Sequence, residues 1–374
     1  MKELETILKQ EEKTVFALRR LYSRYGYAQY KMSKFEEYEL YVRNKNFLVS
    51  DHIITFTDTN GKLMALKPDV TLSIVKNSKV PAGEVQKVYY DEKVYRVSKG
   101  GDSFREIPQV GLECLGEIDR YGILEVLTLA AKSLDCISDE YVLDVSHLGI
   151  LSAMLEPLHL SSRVRQQLLQ CVGEKNVHGI ASLCKGEEID ADVSERLQTL
   201  VATYGQPKST LPILKTLCRT KEEVAAFEEL ETVCKALDRE FTGKIRLDFS
   251  VVSDLSYYNG IVFKGFVNGI PSAVLTGGQY DKLVQKLGKK ANGIGFAVYL
   301  DLLGELFWTR AEYDADVLLL YEADTDLIRL QETVAGLIDE GKSVCVCRSK
   351  PQKKTFRTQM RMTQKGVEVI ETDA

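Results

Sequence analysis

Polar side chains interrupt strand-like stretches at several places along the chain. Lys67-Pro68-Asp69-Val70-Thr71 sets Asp69 and Thr71 two residues apart, on one side of an extended backbone. Gln109, Gly111 and Glu113 share one face of a strand whose other face is Val110, Leu112 and Cys114. A glutamine and a glutamate beside a glycine are unexpected on a face that only builds core. Ionised Glu113 offers acceptors, and Gln109 offers both donor and acceptor. Tyr257-Tyr258-Asn259-Gly260 starts another strand, Gly277-Gly278-Gln279-Tyr280-Asp281 marks a turn, and Arg96 follows the aromatic strand Val88–Tyr95. Each has a plainer role open to it. Asp69 can cap a helix starting near Thr71, Gln109 and Glu113 can be an exposed strand face, Arg96 a surface charge and Gly277-Gly278 a tight turn. Tyr257 and Tyr258 are expected to point oppositely, one of them into the core.

The elements around these residues follow from periodicity. Val15, Leu18, Leu21, Tyr22 and Tyr25 line one side of a helix that runs up to Gly26. Ile53, Ile54 and Phe56, then Leu63 to Leu66, flank the turn Asp58–Gly61 in hairpin fashion. Lys87 to Val97 and Pro108 to Gly116 are strands separated by a polar Ser98–Ser103 segment, and Ile123 to Leu134 is an amphipathic helix. From about 147 to 240 the pattern turns helical. Val224, Phe227, Leu230, Val233 and Leu237 recur at steps of three or four, and Gly205–Pro207 reads as a loop. Strands resume at Lys244–Ser250, Gly260–Val267 and Pro271–Thr276, and Ala291 to Leu306 mixes a glycine-rich entry with a helix. After a boundary near Trp308–Tyr313, Ala315–Tyr321, Asp326–Ile338 and Lys342–Arg348 give strand, helix, strand.

Composition narrows the function classes. The 374 residues carry 49 basic and 54 acidic side chains, a net charge of -5, which does not favour a general nucleic-acid binder. No apolar run reaches the roughly 18 residues that a membrane span needs, and the N-terminus lacks a signal-peptide core. Eight cysteines without a CxxC pair read as small core residues in a reducing cytoplasm. Four dispersed histidines argue against structural zinc, and no metal or cofactor is expected. The dinucleotide fingerprint and the phosphate-binding glycine–lysine loop are absent.

Taken in order, the blocks resemble the catalytic core of class II histidyl-tRNA synthetases. They are Leu66-Lys67-Pro68-Asp69-Val70-Thr71, Val94-Tyr95-Arg96, Phe104 to Glu113, Tyr257 to Phe263, Gly277 to Asp281 and Gly293-Ile294-Gly295-Phe296-Ala297. The likeness spans residues 10 to 307 in scattered blocks. It implies an α+β fold: a largely antiparallel sheet flanked by helices over residues 1–310, with the helical insertion at 147–240, and a short C-terminal α/β unit over 311–374. By the same likeness, the family's histidine-holding residues correspond to Asp69 (a glutamate in the family), Thr71, Gln109, Glu113, Tyr258 and Tyr280, and its motif arginine to Arg96. Two carboxylates, an amide, a hydroxyl and phenols suit an imidazole or imidazolium together with an ammonium.

The departures fall on the phosphate side. The family's arginine ahead of the tyrosine pair falls at Ser253, its glutamate after the motif arginine at Ser98, and its last motif's arginine at Leu302. Adenylation develops charge around a transferred phosphate and needs cations there. A histidine-shaped pocket without that chemistry resembles the regulatory subunit of ATP phosphoribosyltransferase. This resemblance implies a non-catalytic chain that pairs with the short catalytic subunit in a hetero-octamer, self-associates as dimers and carries histidine feedback in the first step of histidine biosynthesis. The expected location is the cytoplasm, with no membrane partner. A divergent histidyl-tRNA synthetase is the alternative. The strip Lys353, Lys354, Arg357 and Arg361 reads as a solvated loop or a subunit contact.

Overall fold

The computed structural model describes residues 8–44, 53–97, 103–251, 257–304, 313–364 and 366–372. The chain divides into two compact units, Met1–Phe307 and Trp308–Ala374.

In the first unit, helix Gln10–Arg24 buries Leu18 and Tyr22 and ends at Gly26, whose φ of +82° suits a residue without a Cβ. The Tyr22 hydroxyl meets Ser133 Oγ at 2.9 Å and so ties this helix to helix Arg120–Asp135. Both lie against a nine-stranded sheet in the order Ala28–Gln29, Val85–Val97, Phe104–Gly116, Asn292–Tyr299, Leu275–Gln279, Ile261–Val267, Tyr141–His147, Ile245–Asp248, Tyr204–Gly205. The pairing is antiparallel except at Ala28–Gln29 with Val85–Val97 and at Tyr141–His147 with Ile245–Asp248. Alternation along Phe104–Gly116 sends Val110, Leu112 and Cys114 into the main core with Leu127, Val145 and Phe296. The opposite face carries Gln109, Gly111 and Glu113. A second core of Ile74, Val75, Tyr90, Leu115, Tyr280 and Leu283 surrounds helix Thr71–Asn77, and a small antiparallel sheet lies beside it, with Leu63–Leu66 between Phe35–Glu37 and Thr55–Thr57.

Between Tyr141–His147 and Ile245–Asp248 run the helices Leu148–Leu155, Ser162–Gly173, Val177–Gly186, Ala191–Ala202, Pro207–Leu217 and Lys221–Glu240. The last buries Phe227, Leu230, Val233 and Leu237 and starts from a Thr220/Glu223 capping box. Glu223 also receives Arg196 Nη2 at 2.5 Å, which pins two of these helices together.

Several expectations need correction; the strand expected at Pro271–Thr276, for one, runs over Leu275–Gln279. Gly205 lies in a two-residue edge strand, paired through Tyr204–Gly205 with Leu247 and Asp248, so the start of the expected loop extends the sheet. Gly277 and Gly278 lie inside strand Leu275–Gln279, where crowding from both neighbouring strands, not turn geometry, calls for glycine. Residues 292–299 form a strand, followed by a short 3-10 turn at Leu300–Leu303; their glycines serve close packing. The strand Ile261–Val267 begins after the tyrosine pair, which therefore sits on irregular backbone where alternation does not apply. Ser253, Ser98 and the boundary residue Trp308 lie outside the described residues.

The second unit is a four-stranded sheet in the order Val344–Cys347, Ala315–Leu320, Phe356–Thr363, Gly366–Thr372, with helix Leu327–Asp339 on one face. Arg357 and Arg361 stand exposed on strand Phe356–Thr363, and Phe356 and Met362 on that strand are buried. That half of the basic strip is a strand, not a loop.

Candidate functional site

Glu113 sits on an inner strand of the large sheet, opposite Val88 on one side and Gly295 on the other. Its carboxylate occupies the space a side chain at Gly295 would fill: a Cβ there would lie 1.8 Å from Oε2. The same device recurs around it. A Cβ on Gly111 would meet the Tyr90 hydroxyl at 2.4 Å, one on Gly293 the Tyr280 ring at 2.3 Å, and one on Gly278 the Tyr258 ring at 2.7 Å. The glycines of the sequence blocks are the room into which the polar and aromatic side chains fold.

Thr71 Oγ1 donates to Glu113 Oε1 at 2.5 Å, and the Tyr280 hydroxyl donates to Oε2. No lysine or arginine pairs with this carboxylate among the described residues. Burial lifts the Glu113 carboxyl to about 8. The Thr71 and Tyr280 hydroxyls pull the other way, and the charge of Asp69 adds a further push upward. Asp69 is buried as well, and burial raises it too. Its Oδ1 accepts the Leu72 N–H at 2.8 Å, and Arg96 lies close enough to oppose the rise. Asp69 therefore caps the turn that opens helix Thr71–Asn77 and also lends charge to this buried cluster. At the far end of that helix, Lys289 Nζ donates to Ser78 Oγ at 2.8 Å and to the Lys76 carbonyl at 3.1 Å, anchoring the element that carries Thr71.

Tyr258 and Tyr280 both border this acid pair, and burial holds both phenols above their ordinary range. Tyr257 does not point away. Its ring packs on Tyr258 at 4.5 Å and reaches the Thr71 side chain. Asn259 holds the turn in place through Asp281, which returns one bond from its backbone N–H and takes another from Gly293 N–H, all at 2.9 Å. Gln109 is on the same strand face, about 13 Å of strand away from Glu113. It is buried beside Tyr299, and its Nε2 donor has no partner among the described residues. Arg96 does not enter the acid cluster directly; its Nε donates to the Pro68 carbonyl at 2.9 Å and braces the Asp69 turn. Sequence reasoning missed Tyr90, Tyr257 and Tyr299 as lining groups. For Tyr90 a usable signal was the glycine, Gly111, directly opposite it across the pair. It also missed the Lys67–Glu92 pair, 2.5 Å apart with the lysine fully buried, which locks the entry to the Asp69 turn.

Leu302 is partly buried against the main apolar core. Arg105, at the start of its strand, faces Asp301 at 3.4 Å in an exposed pair. Among the described residues no group of three or more potential ligands gathers for a metal ion, and no helix is long and apolar enough to cross a membrane.

The chain matches the histidyl-tRNA synthetase family over residues 4–303. A Bacillus halodurans protein described as an ATP phosphoribosyltransferase regulatory subunit/histidyl-tRNA synthetase superposes with a TM-score of 0.73 at 22% identity, covering 90% of this chain and 88% of that one. A chain of the ATP phosphoribosyl transferase (HisG:HisZ) complex from Thermotoga maritima gives 0.62 at 20% identity, covering 77% of this chain and 96% of that one. At these identities the solved structures speak to the fold. Fold and site together define a class II aminoacyl-tRNA synthetase-like core of the histidyl type. The ATP phosphoribosyltransferase regulatory subunit of Caldanaerobacter subterraneus subsp. tengcongensis is 30% identical over 292 residues, covering 76% of this chain and 75% of that protein. That of Oceanobacillus iheyensis is 25% identical over 283 residues, covering 75% and 69%. The chain belongs to the family of ATP phosphoribosyltransferase regulatory subunits, paralogues of the histidyl-tRNA synthetase catalytic core.

Proposed function

We propose that this chain is a non-catalytic regulatory subunit acting in histidine biosynthesis. It brings a short-form ATP phosphoribosyltransferase catalytic subunit into its active arrangement and transmits feedback inhibition by histidine. The observation that carries the reading is the asymmetry of the cleft. One side holds two buried carboxylates, of which Glu113 has no paired lysine or arginine among the described residues and Asp69 feels the nearby charge of Arg96, together with a Gln109 donor that no described residue satisfies. The other has Leu302 folded into the core where adenylation would want a cation. A ligand with a cationic nitrogen and an acceptor group satisfies the first side: its nitrogen replaces the proton on Glu113, and its acceptor meets Gln109 Nε2. Histidine has both, and Asp69, Thr71, Gln109, Glu113, Tyr258 and Tyr280 are its proposed holders, with Arg96 bracing Asp69. In this reading the chain supplies no nucleophile or base. It self-associates and joins the catalytic subunits, four of each, in a hetero-octamer.

The deciding experiment is co-purification with the short catalytic subunit, followed by assay of phosphoribosyl-ATP formation with and without this chain and histidine. A complex whose activity needs this chain and falls with histidine is expected. No complex and no activation would overturn the proposal. Histidine-dependent exchange of pyrophosphate into ATP by the isolated chain would replace it with the synthetase reading.

A further inference from the structure

Two thiols in the second unit stand close together on the edge of its sheet. Cys345 and Cys347 alternate with Val344 and Val346 along edge strand Val344–Cys347, which among the described residues pairs with Ala315–Leu320 alone. Val344 packs into the small core around Leu319 and Leu330, on the helix side. The two cysteines therefore share the other face, in register with Leu318 and Leu320. Their sulfurs lie 3.6 Å apart, and both residues are half-buried.

That separation suits one kind of chemistry better than another. Two thiolates bound to one tetrahedral centre, each about 2.3 Å from it, sit about 3.8 Å apart. A disulfide needs about 2.05 Å between sulfurs and a Cα span of about 4.4–6.8 Å. Residues two apart on a strand lie about 6.5–7 Å apart, at or beyond the limit of that span. We propose that Cys345 and Cys347 form a two-sulfur chelate for a thiophilic metal or metalloid ion, whose remaining positions are filled by exogenous ligands. Half-exposure leaves room for those ligands; burial and the neighbouring Cys345 raise the Cys347 thiol, with Lys354 opposing, so the ion must displace the thiol proton. Loading a divalent ion forms two metal–sulfur bonds and releases two protons, with no change of oxidation state.

The test uses the full-length reduced chain and cadmium ion, read by thiolate-to-metal charge-transfer absorbance. One ion per chain is expected. Cys345→Ser and Cys347→Ser should each weaken binding by roughly a hundredfold, since each leaves a single tether. Cys136→Ser, at an exposed thiol far along the sequence in the first unit, should leave it unchanged. A second measurement on the unmutated chain adds phenylarsine oxide. Two thiols and the arsenic oxide give a cyclic dithioarsenite and one water, seen by mass spectrometry on the peptide containing residues 345–347. Cadmium binding undiminished in either single variant, or no bridged arsenical on that peptide, would overturn the proposal.

Discussion

Glu113 keeps its proton where most glutamates have lost it, because burial penalises the charge and no paired cation among the described residues offsets it. The consequence for stability has a definite sign. Between the ordinary value of 4.5 and about 8, the unfolded chain releases this proton and the folded chain retains it, so stability falls as pH rises across that window. At about 1.36 kcal/mol per pH unit, the loss approaches roughly 4–5 kcal/mol by pH 8. Glu113→Gln removes the ionisable group and keeps an acceptor for Thr71 or Tyr280. The variant should unfold at higher urea than the parent at pH 8, and the gap should close toward pH 5. The reverse order at pH 8 would mean that an unrecognised cation balances the acid. The same substitution should weaken histidine binding at least about tenfold, since a charge-assisted bond contributes about 1.5–3 kcal/mol. Binding to the parent chain should also release a proton below pH 8, because a cationic ligand favours the ionised carboxylate. Calorimetry in buffers of different ionisation enthalpy reads that proton directly, and heats independent of buffer would contradict it.

At the scale of elements, the site depends on where strands come close enough to exclude a Cβ. Gly295→Ala puts a carbon 1.8 Å from Glu113 Oε2 and 2.4 Å from the Leu112 carbonyl, with backbone on one side that cannot give way. The expected cost is about 1–3 kcal/mol of stability together with loss of ligand binding. Gly336→Ala, inside helix Leu327–Asp339 with nothing within 4 Å, should instead stabilise by about 0.5–1 kcal/mol. Denaturant melts of the two variants moving the same way would refute the packing argument. These glycines also show what a sequence reveals. The alternation of Gln109, Gly111 and Glu113 against Val110, Leu112 and Cys114 was legible, because a two-residue period is local. The helix stripe Phe227, Leu230, Val233 and Leu237 was legible for the same reason, although Val224, read into the same stripe, is exposed at the helix's first turn. Gly277-Gly278 read as a turn because a local rule cannot register two neighbouring strands, whose crowding depends on residues far away in sequence. The strand Phe356–Thr363 shows only a weak period, because the polar Gln359 is buried as well as Phe356 and Met362; the register irregularity at Gln359/Met360 falls on its partner, leaving Ile370 of Gly366–Thr372 as the extra residue. The tyrosine pair misled in the opposite way: alternation was applied to backbone that is not extended.

At the scale of the molecule, the proposed role makes a thermodynamic demand that no single residue can meet. If histidine lowers the population of the active assembly, it must bind the chain more weakly in that assembly than outside it, and by the same factor. A tenfold weakening of catalytic-subunit association by histidine corresponds to about 1.4 kcal/mol, and histidine affinity must then fall tenfold on assembly. On the proposed reading, that coupling begins at the helix that carries Thr71. Asp69 caps helix Thr71–Asn77, Thr71 donates to Glu113, and Lys289 binds the carbonyls at the other end of the same helix, so a ligand at Glu113 pulls on an element held at both ends. Lys289→Met should release the far end without touching the pocket. Histidine affinity of the free chain should then change by less than about threefold, while the ratio between free and assembled affinities moves toward one. Both affinities can be measured by calorimetry, on the chain alone and on the purified complex. An unchanged ratio in Lys289→Met would place the coupling in another element. A ratio of one in the parent would remove histidine control from this chain altogether.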